Sequence, residues 1–185
     1  MNSENWIAEE LEKVRRAHLL RELSPLPTGG GRLCIEGRDL INFSSNDYLD
    51  FLGRTELKAA AREATDRLGS GSGSSQLVTG HLDIHQQLEN RLAGEKGTES
   101  ALIFGSGFLT NLGAITATAG RGDTVLADRL VHASIIDAIR LSGATLVRFK
   151  HNDMQDLADQ LRARSPKGRV LIVSESVFSM DGDLA

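Results

Sequence analysis

Cysteine is almost missing from this chain. Cys34 is the only one in 185 residues, so no disulfide can close within the chain and a cysteine-rich metal site is excluded. Long apolar runs are missing too: none approaches the roughly 18 residues needed to span a bilayer. Neither sign of charge dominates. Lys and Arg number 21 against 25 Asp and Glu, interspersed, and the net charge of -4 leaves no electrostatic footprint for nucleic acid or an anionic membrane surface. The stretch from Met1 to Arg16 is acidic and amphipathic, not basic and then apolar. It is therefore not read as a secretory signal, and the cytoplasm is the expected location. Three prolines stand against 19 glycines, a balance that points to tight βα turns more than to disorder. What is present is the composition of a soluble globular protein, 40% hydrophobic and 25% charged. The length suits one ordinary domain with a real core plus a modest arm.

Trp6, Ile7, Leu11, Val14 and Leu20 recur at roughly helical spacing with charges between them. This predicts an amphipathic helix to about residue 22, ended by Pro25 and Pro27. Gly29, Gly30 and Gly31 loosen the chain ahead of its next element. Leu33 to Ile35 and Leu40 to Phe43, joined through Glu36-Gly37-Arg38-Asp39, read as a hairpin around Gly37. Residues 1–50 are expected to form a helix and hairpin arm, and residues 51–185 an α/β body. Thr55 can cap a helix from Glu56 to Leu68. Asp83, with Gln86 three residues on as a capping-box partner, opens another to about Leu92. Strands at 101–104, 124–127, 145–149 and 170–173 then alternate with helices at 108–119, 133–142 and 153–164. That order implies right-handed βαβ units and a mostly parallel sheet with flanking helices. Val170 to Val173, an unbroken aliphatic run, reads as a strand buried on both faces. No internal repeat is visible.

Open α/β sheets keep their chemistry in the loops at the carboxyl ends of the strands. In the first βα turn, Ile103 to Asn111, Gly105 and Gly107 let backbone approach a ligand. The free N–H groups and positive dipole end of the helix beginning near Phe108 suit a phosphate. A turn that only packs helix on strand is the alternative. The turn lacks the Gly-Lys-Ser/Thr of a Walker loop and the third glycine of the dinucleotide fingerprint. The second turn, Asp128 to Ser134, carries His132. A lone histidine is commonly structural, but at a strand's carboxyl edge an imidazole could stack on an aromatic ligand or handle a proton near neutral pH. The last turn offers Glu175, Ser179 and Asp181. Three polar turns at successive strand ends point to a site. Gly69 to Ser75 reads either as a flexible linker or as the backbone wall of a pocket. Ser44 to Leu49 reads as a turn, although the Asn46 amide and its serine neighbours could bind a carboxylate. His81, His85 and His151 are read as surface or helix-end histidines, since His81 and His85 have no third ligand for a metal.

Taken in order, Asn42 to Leu49, Gly69 to Gly80, His85 to Glu89, Phe104 to Asn111, Asp128 to Ser134, His151 to Asp153 and Glu175 to Asp183 resemble the α-oxoamine synthases. These are pyridoxal-phosphate enzymes of fold type I, and the match spans essentially the whole chain. The resemblance implies an incomplete fold-type-I large domain, α/β with a mostly parallel sheet, preceded by the arm. It implies an acyltransferase that condenses an amino acid with an acyl-CoA and releases carbon dioxide, with pyridoxal phosphate as cofactor and no metal. Gly71 to Gly80 is most similar to members that serve biotin biosynthesis by joining L-alanine to pimeloyl-CoA or pimeloyl carrier protein. Another member of the family, such as a glycine C-acetyltransferase, is the alternative. Carried over position by position, Gly107 and Phe108 would bind the cofactor phosphate, and His132 would stack on the pyridine ring and touch substrate. Ser179 would hydrogen-bond the cofactor with Glu175 in support, while Arg21 and Asn46 would bind substrate. Complete members are homodimers.

Such an enzyme also needs a lysine that carries the cofactor and moves the substrate's α-proton, and an acidic residue against the pyridinium nitrogen. In the family both lie downstream of Met180-Asp181-Gly182-Asp183. None of Lys13, Lys58, Lys96, Lys150 and Lys167 matches that lysine. The chain is therefore expected to be the N-terminal part of an α-oxoamine synthase, inactive alone and at most a weak binder of the cofactor. The competing expectation is a non-catalytic remnant that acts only as a binding or dimerisation module. An open half-sheet also carries an expected risk of aggregation.

Overall fold

The computed structural model describes residues 5–26, 30–164 and 168–185; Met1 to Glu4, Pro27, Gly29 and Lys167 lie outside the described residues. The chain divides into two compact units, Met1–Ser75 and Gln76–Ala185.

In the first unit α1 runs Asn5–Arg16, well short of the predicted end. Its own backbone closes it. His18 takes a φ of 54°, and the N–H groups of His18 and Leu19 bond back to the carbonyls of Arg15 and Val14 at 2.9 and 3.0 Å. That crossed pair satisfies the last carbonyls and turns the chain out of the helix before any proline is reached. β1 (Arg32–Ile35) and β2 (Arg38–Ile41) pair antiparallel with Ile35 opposite Arg38. Glu36 and Gly37 both have positive φ, 52° and 76°, which a two-residue hairpin turn of type I′ requires. The hairpin thus falls on the expected turn. α2 spans Thr55–Leu68, and Thr55 is its first residue instead of its cap: Arg54 holds the cap position without a side-chain bond.

The second unit opens with a single π turn, Gln76–Gly80, followed by α3 (Asp83–Lys96). The cap of α3 lies one residue earlier than expected. The Leu82 N–H donates to His85 Nδ1 at 2.9 Å, while Gln86 bonds Asn90 along the helix at 3.0 Å. Ala101 to Phe104, expected as a strand, forms no regular element and is unpaired among the described residues. Burial alternates along it as in a strand, yet the Ile103 N–H finds the Glu89 carboxylate at 3.1 Å instead of a neighbouring chain. Without a ladder partner, strand propensity has nothing to satisfy it.

Then come α4 (Gly107–Thr118), β3 (Thr124–Asp128), α5 (Ala133–Ser142), β4 (Thr145–Phe149), α6 (Met154–Arg162) and β5 (Val170–Val173). These match the expected elements to within a residue or two at their ends. The sheet has the order β4-β3-β5, all parallel, with Thr124 level with both Thr145 and Val170. β3 lies in the middle and is buried along its whole length. Val125 and Ala127 pack with Ile115 of α4, with Ala119 just past its end, and with Ile135, Ile136 and Ile139 of α5. Leu126 packs with Val147 and Phe149 of β4 and with Leu157 of α6. α4 and α5 therefore cover one face and α6 the other. Each fully buried aliphatic side chain contributes about 1.5–3 kcal/mol, which makes the first, larger cluster the main source of stability.

β5 corrects one expectation. Leu171 and Val173 pack against the larger cluster, but Val170 and Ile172 are 40% and 49% exposed. Among the described residues β5 pairs only with β3, and the helix that covers Val147 and Phe149 leaves this face of the edge strand bare. At the amino ends of the strands Asp123 holds β5 level with β3. Its carboxylate accepts the Arg169 and Gly120 N–H groups at 2.8 and 2.9 Å and the Arg169 guanidinium at 2.9 Å. Those two backbone donors and then the guanidinium hold its carboxyl below the usual carboxylate range.

Candidate functional site

β3 and β5 are spatial neighbours although β4 separates them in the chain, so the loops leaving their carboxyl ends diverge and a crevice opens between them. A cavity of about 530 Å³ lies there, lined by Gly107, Phe108 and Asn111 of α4, by His132, Ser134 and Ile135 at the start of α5, and by Ser174 to Val177 and Ser179 after β5. Five residues expected at a cofactor site, Gly107, Phe108, His132, Glu175 and Ser179, are thus brought to one cavity. The first N–H groups of α4 have no intrahelical acceptor by geometry. Ser106 caps that helix, its Oγ accepting the Leu109 N–H at 3.2 Å. A Cβ added at Gly107 would meet no atom within 4 Å, so packing does not require glycine there.

A hydrogen-bond relay sets the His132 ring. Asn111 Nδ2 donates to Ser134 Oγ at 2.8 Å, and Ser134 Oγ lies 2.7 Å from His132 Nδ1, which also accepts the Ser134 N–H at 3.1 Å. Because Nδ1 accepts the Ser134 N–H it carries no hydrogen of its own, and the Ser134 hydroxyl therefore gives its hydrogen to it. In the neutral ring the proton therefore sits on Nε2, leaving that N–H as the free donor of a ring that lines the cavity. The Ser134 side chain that carries the relay is 1% exposed. The His132 backbone N–H donates to Glu175 Oε1, which ties the loop after β5 to the amino end of α5, where a carboxylate is also favoured by the helix dipole.

Behind this wall lies a second polar cluster. Asp128 ends β3 fully buried. It accepts the N–H groups of Leu130 and Asn152 at 2.8 and 2.9 Å and sits 2.9 Å from His151 Nδ1. Burial alone would push the Asp128 carboxyl up, but the two backbone donors and the His151 ring together hold it below the usual range. His151 is therefore no surface histidine. Its Nε2 lies 2.7 Å from Asp183 Oδ2, and its ring meets Phe178 edge-on at 4.4 Å. Its partners lie 23 and 32 residues away, so no local pattern reveals the cluster. Asn111 and Ser134 were open to detection: Asn111 stands one helical turn beyond Gly107, and Ser134 follows His132 at i+2. His81 lies 3.7 Å from the buried Glu89, and among the described residues no group of His, Cys, Asp and Glu is placed to hold a metal ion.

Arg21 and Asn46 belong to the first unit. Arg21 is exposed in the irregular stretch after α1. Asn46 shares a groove of about 580 Å³ with Asn42, Ser44 and Asp47. Asx- and Ser-type turns shape that groove, in line with the turn reading: Asn42 Oδ1 accepts the Ser44 N–H at 3.1 Å, Ser45 Oγ accepts the Asp47 N–H at 3.1 Å, and Asp47 accepts the Phe51 N–H at 2.7 Å.

The model of the family described as aminotransferase class I and II matches residues 38–185. The 8-amino-7-oxononanoate synthase of Geobacter sulfurreducens is 49% identical over 180 residues, which cover 97% of this chain and 46% of that protein. Among solved structures, serine palmitoyltransferase of Sphingomonas wittichii matches with a TM-score of 0.83 at 32% identity, over 98% of this chain and 46% of that one. A serine palmitoyltransferase structure with pyridoxal phosphate gives 0.82 and 32% over 98% and 46%. The chain spans a little under half the length of these relatives.

Proposed function

The chain belongs to the class I and II aminotransferase family, and from that premise we propose that it is part of a pyridoxal-phosphate-dependent α-oxoamine synthase. The reaction proposed is the condensation of L-alanine with pimeloyl-CoA, or its carrier-protein thioester, to 8-amino-7-oxononanoate with release of carbon dioxide. The observation that carries the reading is the meeting of Gly107, Phe108, His132, Glu175 and Ser179 on one cavity.

The donors at that cavity fit the cofactor. The Gly107 and Phe108 N–H groups stand at the positive end of α4, and the open space at Gly107 admits a phosphate oxygen close to the backbone. The His132 ring, fixed in one tautomer by Ser134 and Asn111, offers a flat face and a free Nε2–H. The Ser179 hydroxyl and the Glu175 carboxylate stand on the opposite loop, with the apolar side chains of Ile135 and Val177 also lining the cavity. When bound, the cofactor supplies an electron sink for the carbon that loses its carboxylate. Arg21, whose guanidinium suits a carboxylate in bidentate fashion, and Asn46 are proposed to bind substrate. Residues 1–50 are proposed as an arm and 51–185 as part of the cofactor-binding domain, in a cytoplasmic homodimer. No helix among the described residues is long and apolar enough to cross a membrane.

No lysine lines the cavity among the described residues, so these 185 residues alone are proposed to hold the cofactor weakly, without a covalent bond, and not to turn over. Calorimetric titration of pyridoxal phosphate into the 185-residue chain and into a Gly107→Asp variant tests the reading. A carboxylate set against the phosphate costs several kcal/mol, so the variant is expected to bind at least about a hundredfold more weakly. Binding that the substitution leaves unchanged would move the phosphate elsewhere and refute the assignment. A normal synthase rate from the chain by itself would refute the second part.

A further inference from the structure

The loop after β5 supplies Ser174, Glu175, Ser176, Val177 and Ser179 to the cavity wall, and its far limb folds back on itself. The Phe178 N–H donates to the Asp183 carbonyl at 2.9 Å and the Gly182 N–H to the Phe178 carbonyl at 2.7 Å, while Val177 bridges to Leu184. The returning limb is fastened to the turn after β4. Asn152 Nδ2 donates to Asp183 Oδ2 at 3.1 Å and to the Leu184 carbonyl at 2.8 Å. His151 Nε2 meets the same Asp183 oxygen, and its Nδ1 meets Asp128 at the end of β3.

This arrangement dictates the protonation state of His151. An ionised carboxylate only accepts, and a neutral imidazole has a single N–H. Two carboxylates on the two ring nitrogens therefore require the imidazolium. Asp128 already accepts two backbone N–H groups, and Asp183 Oδ2 already accepts from Asn152, so both receive from the ring. The other Asp183 oxygen is buried without a partner among the described residues, so the ring and the Asn152 amide on Oδ2 are what compensate that carboxylate. Among the described residues the charged groups bonded to the ring are Asp128 from β3 and Asp183 from the loop after β5, and the Phe178 ring meets it edge-on.

We infer that His151, held as an imidazolium between Asp128 and Asp183, is a positioning residue that latches the 174–185 loop to the edge of the sheet and so sets the cavity wall carrying Glu175, Val177 and Ser179. Its bearing on the cofactor rests on the proposed function; the latch itself does not. Hydrogen bonds to Asp128 and then to Asp183 raise the ring's pKa above the ordinary histidine value of 6.5, against the opposing effect of burial. A raised folded value means that the latch is at full strength below the unfolded histidine value and is lost as pH rises through the folded one.

Hydrogen exchange monitored by NMR on the 185-residue chain without cofactor, between about pH 6 and about pH 9, tests the latch. Corrected for intrinsic rates, protection of the Phe178 and Gly182 amides is expected to fall about tenfold for each unit by which loop closure raises the histidine. The buried β3 amides of Val125 and Leu126 should stay level. In His151→Gln the two loop amides should exchange at the high-pH level throughout. Asp183→Asn, which keeps an acceptor but drops the charge, should shrink the step while the fold is kept. A ring with only one protonated nitrogen near pH 6, or loop protection that is flat with pH in the unmodified chain, overturns the inference. Pyridoxal phosphate titrated at both ends of the range separates the two claims. Equal affinity at both ends despite a loop step overturns the setting of the cavity wall. A persisting loop step with no binding at either end sinks the cofactor reading instead and leaves the latch standing.

Discussion

Removing the Ser134 hydroxyl tests whether the His132 ring is set by a relay or merely sits near polar neighbours. The oxygen accepts from Asn111 at 2.8 Å and lies 2.7 Å from His132 Nδ1, on a side chain that is 1% exposed. Ser134→Ala therefore strips two partners at once. Leaving buried polar groups unsatisfied costs about 1–3 kcal/mol, and because Asn111 is only half-buried the loss should fall toward the lower part of that range. Asn111→Ala removes one hydrogen bond and leaves Ser134 still bonded to the ring, a loss of about 0.5–1.5 kcal/mol. Once Ser134 is gone, the Asn111 amide has lost the bond that the second substitution would break. The double variant should thus be hardly less stable than Ser134→Ala, with a coupling of about 1 kcal/mol. The second unit contains neither the tryptophan nor the tyrosine of the chain, so exchange of the Val125 and Leu126 amides in denaturant is the suitable measure of its unfolding. The same samples, with labelled histidine, report the His132 tautomer, which should shift from Nε2–H toward a mixture in Ser134→Ala. Losses that add to within about 0.3–0.5 kcal/mol, with an unchanged tautomer, would refute the relay.

Two glycines with opposite surroundings give a paired prediction. A Cβ at Gly168 would stand 2.5 Å from the Gly122 carbonyl and 2.6 Å from the Asp123 carboxylate, so Gly168→Ala should destabilise the second unit by about 1–3 kcal/mol in denaturant titration. Gly107→Ala meets nothing and should change stability by less than about 0.5 kcal/mol, while weakening pyridoxal phosphate in the same calorimeter. Asp123, held below the usual carboxylate range by the Arg169 and Gly120 N–H groups and the Arg169 guanidinium, contributes stability that is present above its unfolded pKa and lost as pH falls through its folded one. Asp123→Asn should flatten the acid limb of the stability profile, read as midpoint against pH, and leave the limb above neutrality unchanged.

Where the chain's order was legible in sequence, local signals and long-range packing agreed. β3, α5, β4, α6 and β5 are short apolar runs alternating with amphipathic segments, and each strand among them pairs in the parallel sheet that the order implied. The Glu36-Gly37 turn carried its own backbone requirement. The departures arise where a local signal needs something it does not contain. Ala101 to Phe104 has strand composition, but a strand exists only against a neighbour. Val170 to Val173 has the composition of a doubly covered strand, and whether a second layer reaches it is a property of the sheet's edge. α1 ended early because the crossed bonds from His18 and Leu19 to Arg15 and Val14 offered a termination that uses a histidine in place of the usual glycine.

The site divides along the same line. His132 and Ser179 come after β3 and β5, and the carboxyl ends of parallel strands converge on one edge whatever else the chain does, while Gly107 follows no strand and is marked by its glycine turn at the start of α4. His151 comes after a strand as well, yet its sequence reads as a surface or helix-end histidine. What sets it apart is the pair of acids that reach it, and neither Asp128 nor Asp183 is its sequence neighbour. Parallel register favours that meeting: with Asp128 level with Phe149, the turn two residues beyond Phe149 lies near the end of β3, where a buried carboxylate requires donors. A histidine just past a strand, level with an acid that ends the adjacent parallel strand, is therefore a sequence pattern with a physical consequence. It identifies a charged tie between loops, and at this sheet edge the loop so tied carries half the cavity.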